Sequence, residues 1–147
     1  MALNDVSKLR EETGAGVMDC KRALEAAKGD YEKAKALIAE QGITKAAKKE
    51  ERTTGAGHLE LYLHSGRVGV MLELRAETDF VTRSEQFKEL AKNVAMHIAA
   101  MNPQTIEELL AQPYVKDESQ TIENVIKAVI GKIGENIRVE RFARYQI

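Results

Sequence analysis

At residue 58 the apolar residues of this chain change their period, and that change constrains the fold more than any other feature. From His58 onward Leu59, Leu61 and Leu63 alternate with Glu60, Tyr62 and His64. Val68, Val70, Leu72, Leu74 and Ala76 then alternate with more polar neighbours. Alternation is the signature of a strand with two unlike faces, and Ser65-Gly66 between the runs has the length and composition of a two-residue hairpin turn. Before residue 58 the spacing is helical: Val6 and Leu9, then Cys20, Leu24 and Ala27, then Ala34, Leu37 and Ile38 form successive stripes. Gly14, Gly29 and Gly42 each follow a stripe, where a left-handed C-cap is needed, and Asp30 stands where it can cap the third helix. The pattern predicts a minimal helical bundle over residues 1–42.

Residues 43–52 read as a short charged helix with Lys45, Lys48, Lys49, Glu50, Glu51 and Arg52, and Thr53-Thr54-Gly55-Ala56-Gly57 as a flexible connection. This divides the chain into an N-terminal helical domain over 1–52, a linker over 53–57 and a core over 58–147. In the core, Ser84 can cap a helix whose stripe is Phe87, Leu90, Ala91, Val94, Ile98 and Met101, ending before Pro103. Thr105 and Glu108 have capping-box spacing, and Ile122, Val125, Ile126, Val129, Ile130 and Ile133 form a last stripe that stops near Gly134. A strand over 136–147 completes a three-stranded antiparallel sheet covered by helices, so the expected class is α+β. A length of 147 residues suffices for one modest core plus a small helical satellite.

Composition removes several functions. Lys and Arg number 22 against 23 Asp and Glu, so no global field gathers a polyanion, and nucleic acid is disfavoured as the main partner. The lone Cys20 can form neither an internal disulfide nor a zinc site by itself, which fits a reducing cytoplasm. Residues 1–10 lack the apolar region of a signal peptide, and no run reaches membrane-spanning length, so a soluble cytoplasmic protein without membrane association is expected. Gly131-Lys132 lacks the upstream glycine and following hydroxyl of a phosphate-binding loop, so direct nucleotide binding is not expected. Gly14-Ala15-Gly16 follows a helix rather than a strand and suits a cap better than a dinucleotide site. His58 and His64 are too far apart to share a metal ion, and Cys20 falls on an apolar stripe where thiols are inert. Lys45, Lys48 and Lys49 are interrupted by Glu50 and Glu51 and lack stacking aromatics, as on a solvated helix face. No catalytic residue, metal or cofactor is expected.

Residues 73–83 are different, because a buried strand runs straight into Thr78-Asp79-Phe80-Val81 before the helix begins at Ser84. Two readings stand. Phe80 folds back as a staple while Asp79 satisfies local backbone donors, or Phe80 is an exposed wedge on a rigid corner with a carboxylate beside it.

Residues 9–24, Leu-Arg-Glu-Glu-Thr-Gly-Ala-Gly-Val-Met-Asp-Cys-Lys-Arg-Ala-Leu, resemble the N-terminal signature of the elongation factor Ts family, and residues 77–81, Glu-Thr-Asp-Phe-Val, resemble its second signature. Similar segments occur at 43–49, 67–70, 95–99, 112–115 and 133–137, so the resemblance spans almost the whole chain. It implies an N-terminal domain of the ubiquitin-associated type, followed by an α+β core. It further implies that Arg10, Val17 and Met18 dock on the GTPase domain of elongation factor Tu. Asp79 and Phe80, between Thr78 and Val81, would be pushed between helices of that domain, disturbing its magnesium and phosphate site so that GDP leaves. Val68, Gly69 and His97 match further interface positions, although His97, at the edge of its helix's stripe, equally suits a packed role.

The chain departs from the family in two respects. Many members carry a second core subdomain and a helical hairpin, whereas here only residues 104–111 separate Pro103 from Gln-Pro-Tyr-Val, and Thr82 stands where a smaller residue is common. A homodimer could restore the missing surface, through the exposed sheet edge and the strand bearing Ile137 and Val139. The competing functional reading is a ubiquitin-associated-like interaction module whose small core binds RNA or the ribosome.

Overall fold

The computed structural model describes residues 3–147, so Met1 and Ala2 of the expected N-terminal domain lie outside the described residues. Three helices come first: α1 (Leu3–Thr13), α2 (Val17–Ala26) and α3 (Tyr31–Ala47). They enclose a small core of Leu9, Cys20, Ala23, Leu24, Ala27 and Ala34. Asp30 caps α3 by accepting a hydrogen bond from the Lys33 N–H at 3.1 Å, and Gly14 and Gly29 take the left-handed conformation expected of them.

Gly42 does not. Helix α3 continues through it to Ala47, and residues 48–52 form only turns, so the separate charged helix expected over 43–52 does not exist. The reason lies in the partner helix α7 (Ile122–Ile133). A Cβ placed on Gly131 of α7 would stand 2.6 Å from Gly42 Cα and 2.8 Å from Gly42 O. The two backbones therefore meet at a separation that requires glycine at position 131, and Gly42 lies within the helix at the crossing rather than at a helix end.

Strands β1 (Ala56–His64) and β2 (Val68–Ala76) form an antiparallel hairpin turning at Ser65 and Gly66, both with positive φ as a type I′ turn requires. A one-turn helix α4 (Asp79–Thr82) leads into α5 (Glu85–Met101), which Ser84 caps by accepting the Phe87 N–H. Helix α6 (Ile106–Ala111) starts from Thr105, whose hydroxyl accepts the Glu108 N–H while Glu108 accepts the Gln104 N–H. A small ladder of β3 (Pro113–Tyr114) and β4 (Asp117–Thr121), not anticipated from the sequence, precedes α7. Strand β5 (Ile137–Gln146) then pairs with β2, giving the order β1-β2-β5 in the expected three-stranded antiparallel sheet. The class is α+β as expected. Val70, Leu72, Leu74 and Ala76 of β2 pack against Phe87, Leu90, Val94 and Ile98 of α5 and against Ile122, Ile126 and Ile130 of α7, with Ala46 of α3 closing this larger core.

Among the described residues the opposite sheet face has no covering layer. Leu59, Leu61 and Leu63 of β1 are 55%, 67% and 71% exposed, beside the exposed Met71 and Tyr145. His58, Glu60 and Tyr62 take the inner side instead, His58 edge-on to Phe87 with ring centroids 6.3 Å apart. Glu73 alone on the outer face is buried, under Arg75 at 2.7 Å and Arg141 at 2.8 Å. Ile137 and Val139 face the core, so they are unavailable for the association expected of them.

The crossing supplies a test. Gly131→Ala should destabilise the protein in urea unfolding, because an overpacking cost of about 1–3 kcal/mol exceeds a helix-propensity gain of about 1 kcal/mol. Gly42→Ala, whose Cβ would meet nothing within 4 Å, should be neutral or stabilising. Equal effects at both positions would contradict the close crossing.

Candidate functional site

The segment linking β2 to α5 is a corner held from two sides. Thr78, in extended conformation, caps α4: its hydroxyl oxygen accepts the Val81 N–H at 3.4 Å. The Thr78 hydroxyl and N–H both donate to the carboxylate of Glu135, at 2.8 and 2.9 Å. One residue earlier, the Glu77 carboxylate accepts the Asn136 N–H at 2.6 Å and lies 3.6 Å from the Arg52 guanidinium. Downstream, the Thr82 hydroxyl donates to Asp79 O at 3.1 Å and the Ser84 hydroxyl to Val81 O at 2.7 Å. Thr82 is thus accommodated, buried and hydrogen-bonded.

Phe80 is 88% exposed on this corner. Of the two readings left open by the sequence, the fold-back staple is therefore excluded, and Val81 packs against the core in its place. Among the described residues the Asp79 carboxylate meets only Arg83, at 3.5 Å, with both side chains largely in water. Such a surface pair is worth little, so the carboxylate is free to take a better donor.

The other candidate residues lie elsewhere. Arg10, in the last turn of α1, is exposed, and Val17 and Met18, in the first turn of α2, are 46% and 60% exposed. These two apolar side chains face water while Cys20 and Leu24 on the same helix fill the small core. Val68 and Gly69 are half-buried at the start of β2, Gly69 pairing with Leu63 and Tyr145. His97 is fully buried. Its Nδ1 accepts the Val115 N–H at 3.1 Å and its Nε2 pairs with Gln112 Oε1 at 2.9 Å, which assigns the neutral tautomer protonated at Nε2. Burial holds its pKa below the ordinary imidazole value. Both nitrogens are occupied in holding the β3–β4 ladder to α5, an arrangement that describes the packed alternative for this histidine.

Sequence reasoning missed Glu135 and Asn136 as parts of the corner. Asn136 is buried, and its Nδ2 donates to Glu50 O at 3.2 Å and Arg52 O at 2.9 Å. Nothing in local periodicity marks a residue whose partners lie more than fifty positions away. Among the described residues no helix is long and apolar enough to cross a membrane, and no three His, Cys, Asp or Glu side chains form a metal-binding group.

The family described as Elongation factor TS matches residues 25–108 and 77–147. An elongation factor Ts of Fervidobacterium nodosum is 42% identical over 188 positions, covering 97% of this chain and 95% of its own. Those of Oleidesulfovibrio alaskensis and Methylacidiphilum infernorum are each 39% identical, covering 97% and 100% of this chain and 95% of their own. An alignment of 188 positions exceeds the 147 residues here by 41, so the first two relatives carry internal sequence that has no counterpart in this chain.

Two outcomes test the geometry. Phe80→Ala should shift unfolding stability by no more than about 0.5 kcal/mol, as for a surface position, whereas a loss of several kcal/mol would mean that the ring is packed. His97, with a folded-state pKa below its unfolded value, contributes stability that is present above the unfolded value of 6.5 and is lost as pH falls toward the folded one. Stability should therefore decline on acidification from neutral pH, with the His97 ring still neutral below 6.5 in an imidazole nitrogen NMR titration; protonation at or above that value would contradict the assignment.

Proposed function

The chain belongs to the elongation factor Ts family, and from that premise we propose that it is a non-catalytic guanine nucleotide exchange factor that binds elongation factor Tu and expels its GDP. The observation that carries this reading is the exposure of Phe80, at 88%, on a corner whose backbone is fixed by hydrogen bonds on both sides. A phenylalanine in water adds nothing to the fold, yet burying it in a partner is worth about 1.5–3 kcal/mol, and more in a well-formed pocket. In the proposed complex Phe80 enters the GTPase domain, Asp79 exchanges its weak Arg83 contact for a donor there, and Thr78 and Val81 hold the pair in place. The magnesium and phosphate site of the partner is disturbed, and by linkage a factor that prefers the nucleotide-free state weakens GDP to the same degree.

Arg10, Val17 and Met18 form the second contact in this proposal, carried by the N-terminal helices, which the segment ahead of β1 joins to the core; the core begins at Ala56 rather than at residue 58, because Ala56 and Gly57 pair with Ala76 and Arg75 in the sheet. Val68 and Gly69 would add a smaller contact at the start of β2. His97 acts there by holding Val115 rather than by touching the partner. The cytoplasm is the compartment in which such a factor works.

A homodimer belongs to the same proposal, and the uncovered outer sheet face supports it better than a sheet edge does. Leu59, Leu61, Leu63, Met71 and Tyr145 form an apolar stripe across all three strands, and a twofold pairing of these faces would give each copy the layer that its sheet lacks.

The deciding experiment is release of a fluorescent GDP analogue from elongation factor Tu. The wild-type chain should accelerate it, and Phe80→Ala should reduce the effect by roughly 10–100-fold, as loss of about 1.5–3 kcal/mol requires. No acceleration at any concentration would overturn the exchange reading and direct attention to RNA binding. Light scattering should give a dimer that Leu61→Glu converts to a monomer; a wild-type monomer at every working concentration would remove the dimer from the proposal.

A further inference from the structure

We propose that Glu135 and Asn136 are positioning residues for exchange, Glu135 setting the direction of Phe80 and Asn136 fixing the helical unit to the core. The inference rests on the exchange reading and deepens it.

A single turn of helix cannot hold itself in water, since nucleation costs more than one or two hydrogen bonds return. Helix α4 has four residues, so its direction must come from outside. The Thr78 hydroxyl has one proton, which goes to Glu135, and this leaves its lone pairs for the Val81 N–H. With the Thr78 N–H also bound to Glu135, one carboxylate fixes both the rotamer of the cap and the plane of the peptide that leads into Asp79 and Phe80. Glu135 in turn is placed by Gly134, whose left-handed conformation at φ 85° ends α7.

Asn136 works on the other side. Both protons of its amide are used, one on Glu50 O and one on Arg52 O, and its backbone N–H meets Glu77. The segment leaving α3, the exit of β2 and the start of β5 are thereby joined at one buried residue, through its side chain and its backbone N–H. Asp cannot replace it, because a carboxylate has no protons for the two carbonyls. The consequence is that Arg10, Val17 and Met18 on one side and Phe80 on the other are referred to a single frame. Two contacts on a rigid frame bind with less ordering cost than two contacts on a hinge.

The test uses the full chain and separates the saturated exchange rate from the concentration giving half-saturation. Glu135→Ala should lower the saturated rate about tenfold, as loss of charge-assisted hydrogen bonds of this strength implies, with little change in half-saturation. Glu135→Gln, which can still accept from the Thr78 N–H and donate to its hydroxyl oxygen, should recover most of it. Asn136→Asp, with Asn136→Ala as a second variant, should raise half-saturation about tenfold while largely keeping the saturated rate. Amide hydrogen exchange gives an independent reading: Thr78 protection should fall in Glu135→Ala while Leu72 and Leu74 keep theirs. Parallel loss of rate, affinity and global stability would mean a merely structural role, and unchanged kinetics in all variants would also overturn the proposal. If the wild type fails to accelerate release at all, the exchange reading falls by itself. Thr78 protection then decides the clamp: selective loss supports it and no change overturns it.

Discussion

The contact between the backbones of Gly42 and Gly131 is the constraint on which the rest of this structure depends. It lets α3 lie directly on α7, and so sets the small helical core against the larger one that α7 shares with the sheet. The buried residues of the helical unit are few, and a core of that size is marginal alone. Packing along α7 gives it a second surface to lean on. The same helix ends at Gly134 and delivers Glu135 and Asn136 to the corner after β2, so one element carries both the crossing and the hydrogen bonds behind Phe80.

Much of the fold was legible because it is specified locally. Asp30, Ser84 and Thr105 each cap the helix expected of them, and Ser65-Gly66 turns the hairpin. These depend on residues within a few positions of one another. What escaped the sequence is non-local. A glycine after an apolar stripe reads as a cap, and only the approach of another helix turns Gly42 into a contact surface. Alternation identifies β1 as a strand but not which face is inside; the polar set His58, Glu60 and Tyr62 points at α5, and the leucines face water. The β3–β4 ladder has only two paired positions and a register shift, too short for a periodic signal.

The candidate site was half legible for the same reason. The juxtaposition of Asp79 and Phe80 at the end of a buried strand marked the corner, but whether the ring turns in or out depends on what fills the space beneath it. Val81 fills it. His97 showed the converse: its position at the edge of a stripe left two roles open, and the hydrogen bonds to Gln112 and Val115 account for both of its nitrogens. In the proposed mechanism the chain supplies no chemistry of its own. It supplies an apolar ring already held in the direction of use, and the partner's loss of GDP is the thermodynamic counterpart of burying that ring.

In the proposed mechanism Phe80 is free in the isolated protein and buried in elongation factor Tu. The most direct measurement is fluorine NMR of the chain carrying 4-fluorophenylalanine at position 80, alone and with nucleotide-free elongation factor Tu. The free protein should give one narrow, solvent-exposed resonance that shifts and broadens in the complex and returns when excess GDP is added. A resonance that is already shielded from solvent in the free chain, or one that does not change when the complex forms, would contradict this mechanism.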